Sequence, residues 1–200
     1  MSWKRGAYPE FTLEDAVAVL FLLREPTGRK TISEVLKIGE GSVRTLLKKL
    51  TNLGLIHSAQ RGHSLTERGE SLVREIMESF SEVRRVATVD GYPTYALVVK
   101  NPPEFKSIEL RDEAIRYSAK GAMILVVNRG KVVFPEDGRP LRETMPTLDE
   151  DLKRMQGLNE GCMVVVTWAE NPGDAIKSAY HVALVLKEDT LPGEIKSIAG

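Results

Sequence analysis

The stretch Thr31–Gly69 constrains this chain most, because one helix inside it has to satisfy two different environments. Val43, Leu46, Leu47 and Leu50 recur at the spacing that gives a helix one buried stripe. The other face of the same helix carries Ser42, Arg44, Thr45, Lys48, Lys49 and Asn52, residue types that reach base edges and phosphates. Ahead of it, Thr31 or Ser33 is expected to cap a short helix with Val35 and Leu36 facing inward, and Ile38-Gly39 makes the turn. Behind it, Gly54 suits the position just past a helix end. Leu55–Ser58 is β-compatible, Ala59–His63 is a polar turn containing Gly62, and Ser64-Leu65 pairs back as a hairpin. Thr66 then caps a further helix with Leu72, Val73, Ile76, Met77 and Phe80 on its inner face, expected to run to about Arg84.

The run Val35–Ile56, followed by the Leu-Thr-x-x-Gly of Leu65–Gly69, resembles the winged helix-turn-helix domains of MarR- and ArsR-type transcription regulators. In that family the third helix enters the DNA major groove and the hairpin, or wing, touches the backbone or minor groove. The resemblance therefore implies DNA contacts from Ser42, Arg44, Thr45, Lys48 and Lys49 on the helix and from Gln60, Arg61 and His63 in the wing. As a whole, the chain also resembles an uncharacterised archaeal family in which a winged helix precedes a domain of unknown function. That second resemblance implies a division of the chain and brings no activity with it.

Charge bears on this reading through its distribution. The formal net charge is zero, yet residues 1–85 hold 14 Lys and Arg against 11 Asp and Glu, and residues 86–200 hold 14 against 17. Between Arg24 and Arg68 there are 9 basic and 4 acidic side chains. Salt screens charges beyond roughly 8–10 Å, so the local balance at the docking face governs phosphate contact. A composition of 42% apolar and 28% charged residues argues against disorder. One cysteine, Cys162, leaves no internal disulfide framework. No apolar run is long enough to cross a bilayer, so a soluble, cytoplasmic protein is expected.

Thr12 is expected to cap the first helix, after an N-terminal arm at residues 1–11 carrying Trp3, Lys4, Arg5, Tyr8 and Phe11. The texture changes at Arg84-Arg85, which sets the expected domains at residues 1–85 and 86–200. The second half reads as a β-α-β-β-α-β-α succession: a strand at Thr94–Lys100, a helix through Arg111–Ala119, strands at Ala122–Asn128 and Lys131–Phe134, a helix capped by Thr147 or Asp149, and a strand at Cys162–Ala169. A last helix follows Asn171-Pro172-Gly173-Asp174, with Asp174 as its expected cap, and the tail from Glu188 reads as loop. The fold class is α+β: a winged helix-turn-helix followed by an α/β domain, compatible with a ferredoxin-like sheet.

Residues capable of chemistry are sparse. Cys162 opens an apolar strand and reads as a core thiol. His181 lies mid-helix without a second ligand at metal-binding spacing, and no Gly-rich phosphate loop has the Walker or Rossmann form. No cofactor and no catalytic group is expected. Arg111, Asp112, Trp168 and Asp174 fall at strand–helix junctions, where small ligands often bind, and are the candidate lining of an effector pocket. The function expected is a sequence-specific DNA-binding transcription regulator, with double-stranded DNA as partner, a homodimeric assembly, and a second domain for sensing or dimerisation. The alternatives are an enzyme with an accessory winged helix and a protein–protein adaptor.

Overall fold

Thr12 fixes where the first helix begins. In the computed structural model, which describes residues 11–199, its hydroxyl accepts from the Asp15 amide (3.2 Å) and the Asp15 carboxylate accepts from the Thr12 amide (2.9 Å). This reciprocal pair starts α1 (Leu13–Leu22). Residues 15–21 of α1 are all buried, so it is a core helix enclosed on every side. Of the arm expected at residues 1–11, residues 1–10 lie outside the described residues, and Phe11 packs against the core. α2 (Arg29–Leu36) starts at Gly28 with no side-chain cap, so neither Thr31 nor Ser33 serves as the expected cap.

α3 (Glu40–Asn52) buries Val43, Leu46, Leu47 and Leu50 at 0–3% exposure, as its periodicity requires. Gly54 follows at φ +72°, a left-handed turn that suits glycine. β1 (Ile56–Ala59) and β2 (Gly62–Leu65) form the antiparallel hairpin. Thr27 joins its edge, its amide and carbonyl bonding those of His63 at 3.0 and 2.9 Å. A Cβ on Gly62 would stand 2.5 Å from the Thr27 carbonyl carbon, so only glycine lets the hairpin close onto the Thr27-Gly28 backbone that precedes α2.

The Leu-Thr-x-x-Gly run has an equally local cause. Thr66 accepts from the Gly69 amide (3.1 Å) and donates to the Gly54 carbonyl (2.6 Å), so one hydroxyl ties the start of α4 (Glu67–Ser79) to the end of α3. Gly69 lies so close to Leu55 that a Cβ would meet its carbonyl oxygen at 2.0 Å. α4 stops at Ser79, short of the expected Arg84. Lys100 N bonds Ser79 O and Ser81 N bonds Val98 O, which draws this segment out of the helix and alongside the sheet.

That sheet contains β3 (Arg84–Val89), β4 (Tyr92–Val99), β5 (Gly121–Asn128), β6 (Lys131–Val133) and β7 (Met163–Trp168) in the order β3-β4-β7-β5-β6, every neighbouring pair antiparallel. The central β7 is covered on both faces, which is why Met163–Val166 is an unbroken apolar run. Leu97, Val99, Ile124, Met163 and Val165 face α5 (Ser107–Arg116) and α7 (Pro172–Lys187). Ala96, Val98, Leu125, Val164 and Val166 face α6 (Pro146–Lys153) and a 3-10 turn at Leu141–Glu143. The α+β class holds, with α5 and α6 on opposite faces of the sheet.

Three further details differ from the sequence reading. α6 starts after Met145 with Pro146 in its first turn and no side-chain cap, so neither Thr147 nor Asp149 serves as the expected cap. α7 is capped by Asn171, whose side-chain oxygen accepts from the Asp174 amide at 2.9 Å. The tail contains α8 (Gly193–Ala199), whose Ile195 and Ile198 are fully buried beside α1. Two isolated apolar residues on a polar turn of helix were too little signal for a helix so far from its partner in sequence.

α7 joins the two halves. Its Tyr180 ring stacks on Phe21 of α1 at 5.5 Å and lies 6.3 Å from Phe80, and its hydroxyl accepts from the Val83 amide at 3.1 Å. Gly173, in its first turn, sits against the carbonyls of Val35 and Leu36 at the end of α2, where a Cβ would be only 2.6 Å from an oxygen. The negative end of the α2 dipole thus meets the positive end of α7. One hydrophobic core runs from α1 through α7 to the sheet.

Candidate nucleic-acid interface

One face of α3 is open to solvent. Arg44, Thr45, Lys48 and Asn52 are exposed there, and Ser42 and Lys49 are half-buried at its margins. Because the hairpin is stitched to Thr27, and Thr27 leads directly into α2, Arg29 of α2 and the hairpin both border α3. The result is a groove of about 440 Å³ lined by Arg29, Arg44, Leu47, Lys48, Thr51, Asn52, Ser58 and His63. Its lining holds three fixed positive charges and no carboxylate.

His63 sits at the hairpin side of the groove, with Nδ1 3.4 Å from the Ser58 hydroxyl. Burial, and then the positive charge of Arg29, hold its pKa below the ordinary value, so the ring is neutral at pH 7. The groove therefore offers two cationic side chains from α3, one from α2, and neutral donors and acceptors from Ser58, His63, Asn52 and Thr51. The Thr51 hydroxyl also donates back to the Leu47 carbonyl at 2.8 Å. On α4, by contrast, the exposed charges are mixed, with Glu67, Glu70, Glu75 and Glu78 alongside Arg68 and Arg74.

Of the residues singled out from sequence, Arg44, Lys48 and His63 meet in this groove. Ser42, Thr45 and Lys49 share α3 without lining it, and Gln60 and Arg61 form the exposed hairpin tip. Arg29 and Ser58 were missed. Arg29 looked like connector, because the pairing of Thr27 with His63 that brings it to the groove is invisible in a single sequence.

The effector candidates do not form one constellation. Arg111 pairs with Glu136 beyond β6 at 2.8 Å, and Asp112 is exposed on α5. Trp168 covers Gly121 at the start of β5, where a Cβ would stand 2.3 Å from the indole. Asp174 accepts from the Asn171 side-chain amide at 2.6 Å, inside the cap of α7. Cys162 is a buried core thiol near the Gly157 carbonyl.

His181, which has no second metal ligand at the right spacing in sequence, is held between two carboxylates. Its Nδ1 is 2.7 Å from Glu14 and its Nε2 is 2.9 Å from Glu113, with the Tyr117 ring stacked on it at 4.5 Å. No described helix is long and apolar enough to cross a membrane.

Two family models match the chain. Residues 12–71 match the PH0730-like N-terminal domain, and residues 91–187 match a domain of unknown function, DUF4443. No curated protein matches it. Among solved structures, the hypothetical protein PH0730 from Pyrococcus horikoshii OT3 is 52% identical, with 94% of this chain and 99% of that chain covered and a TM-score of 0.88. A relative this similar over nearly its whole length leaves a single conclusion, that the chain belongs to the PH0730-like family.

Proposed function

We propose that the head is a winged helix that binds double-stranded DNA, and that the chain is a sequence-specific transcription regulator whose residues 86–200 serve sensing or dimerisation. The observation that carries this reading is the carboxylate-free groove between α3 and the hairpin, where Arg29, Arg44, Lys48 and His63 converge. A helix fits the major groove, which is about 12 Å wide. Arg44, Thr45 and Lys48 lie on the face of α3 that would meet base edges, and Arg29 and His63 would straddle the adjoining backbone. Arg61 at the hairpin tip extends the positive surface outward.

A single head makes few phosphate contacts, and non-specific binding at physiological salt reaches only about 10⁻⁴–10⁻⁶ M. Two heads on a two-fold axis, reading half-sites about 34 Å apart, would supply the missing affinity, so a homodimer is the expected assembly. Selection of bound genomic fragments with purified protein tests the reading. Recovery of a recurring, two-fold symmetric sequence supports it, and recovery of fragments no different from the input overturns it.

A further inference from the structure

Of the side chains that line the α3 groove, His63 alone can change its charge near neutral pH. Its place is fixed by backbone. Thr27 bonds it through both amide and carbonyl, and Gly62 before it leaves no room for a Cβ against Thr27-Gly28. Ser58 stands opposite it on β1. His57, which pairs with Ser64, projects from the other face of the hairpin, because neighbouring strand residues alternate.

Every charged side chain lining the groove with His63 is positive: Arg29 from α2, and Arg44 and Lys48 from α3. Ser58 of β1 is neutral. Gly28, against the hairpin, starts α2 without a side-chain cap, so no side chain offsets the positive end of that helix dipole. In the free protein the ring therefore has nothing to share a proton with. Burial and the Arg29 charge both favour its neutral form.

An anion entering between Arg29 and His63 reverses that balance. It offsets the arginine charge, and it accepts a stronger hydrogen bond from a charged ring than from a neutral one. An anion held more tightly by the imidazolium must, by linkage, promote protonation of the ring as it binds. We propose that His63 is a proton-coupled contact to the DNA backbone: neutral in the free groove, it becomes an imidazolium against a phosphate shared with Arg29, so that each head takes up one proton from solvent and binding tightens as pH falls. The inference rests on the DNA-binding reading and assigns a regulation to the same groove. The gain is complete below the pKa of the free ring, itself under the ordinary 6.5, and is lost as pH rises through the pKa of the ring in the complex.

Two measurements on the full chain test this, with a mixed-sequence duplex of about 20 base pairs at about 50 mM salt, where non-specific contacts suffice. Duplex affinity at constant ionic strength is expected to be roughly tenfold tighter at about pH 5.5 than at about pH 8. His63→Gln is expected to lose this rise, and His57→Gln to keep it. The His63 ring proton, followed by nuclear magnetic resonance across pH, is expected to titrate at higher pH with the duplex bound than without it. A duplex that binds equally well across pH, a His63 titration that the duplex leaves in place, or a rise that persists in His63→Gln would overturn the proposal while leaving the DNA-binding reading intact. Absence of duplex binding at every pH would overturn that reading, and this inference with it.

Discussion

Gly69 and Gly41 show how differently two glycines of one head can matter. A methyl group at Gly69 would stand 2.0 Å from the Leu55 carbonyl oxygen, a backbone atom also held by the Thr66 amide at 3.0 Å. Gly41, inside α3, would place its methyl in open space. Gly69→Ala is therefore expected to lower stability by about 2–3 kcal/mol, at the upper end for overpacking. Gly41→Ala should raise it by about 0.5–1 kcal/mol, the helix-propensity difference. Urea denaturation of both variants checks the opposite signs. The Leu-Thr-x-x-Gly run was legible in the sequence, but the reason for its glycine was not, because Leu55 and Gly69 meet only once the hairpin has closed. The same holds for Arg29, which reaches the groove through the pairing of Thr27 with His63.

At the scale of elements, α7 determines how the head sits on the sheet. Besides the Tyr180 stack, Lys177 lies 3.6 Å from the buried Asp15 of α1, and His181 links Glu14 of α1 to Glu113 of α5. Ionised carboxylates only accept hydrogen bonds, so a ring with one on each nitrogen donates twice and is an imidazolium. Burial opposes that charge, but the hydrogen bonds and charges of Glu14 and Glu113 outweigh it and raise the His181 pKa. Burial likewise opposes ionisation of Glu14, and His181 and Tyr117 overcome it. The hydrogen bond from His181 is the leading cause of the lowered Glu113 pKa, with Arg116 adding to it.

The signs follow from linkage. The raised histidine contributes fully below its unfolded value near 6.5, and that contribution is lost as pH rises through the folded value. The lowered carboxylates contribute fully above their unfolded value near 4.5 and lose it as pH falls through the folded values. The cluster should therefore stabilise the fold most between about pH 4.5 and 6.5. His181→Gln is expected to cost about 1–2 kcal/mol at pH 6, the size of a charge-assisted hydrogen bond, and to flatten the fall in stability above pH 6.5. Thermal denaturation across pH gives both. None of these partners was visible in sequence, since residues 14, 113 and 181 come together only through packing. The strands and long helices, by contrast, were legible, because their periodicity is set locally.

The whole molecule is more unified than its two-part sequence texture suggests. The division near Arg85 falls at the start of β3, while the ring cluster of Phe21, Phe80 and Tyr180 spans it. α1 contributes almost no surface of its own, with residues 15–21 buried partly by α7 and α8. A fragment ending at Arg85 would expose that apolar surface and is expected not to fold alone. The intact chain should unfold in one transition, with far-ultraviolet and near-ultraviolet circular dichroism superimposing. Two separated transitions would show that the shared core does not couple the halves.

The shared core mounts the groove of Arg29, Arg44, Lys48 and His63 on the rest of the chain, and the proposed binding of DNA there is open to direct measurement. Equilibrium binding of a labelled duplex across a series of salt concentrations reads it. Each lost phosphate contact reduces the slope of log affinity against log salt by about 0.9. Arg29→Ala and Lys48→Ala, both at exposed positions, are each expected to weaken binding and to flatten that slope by about one contact. Unchanged affinity and unchanged slope in both variants would contradict the assignment of this groove to DNA.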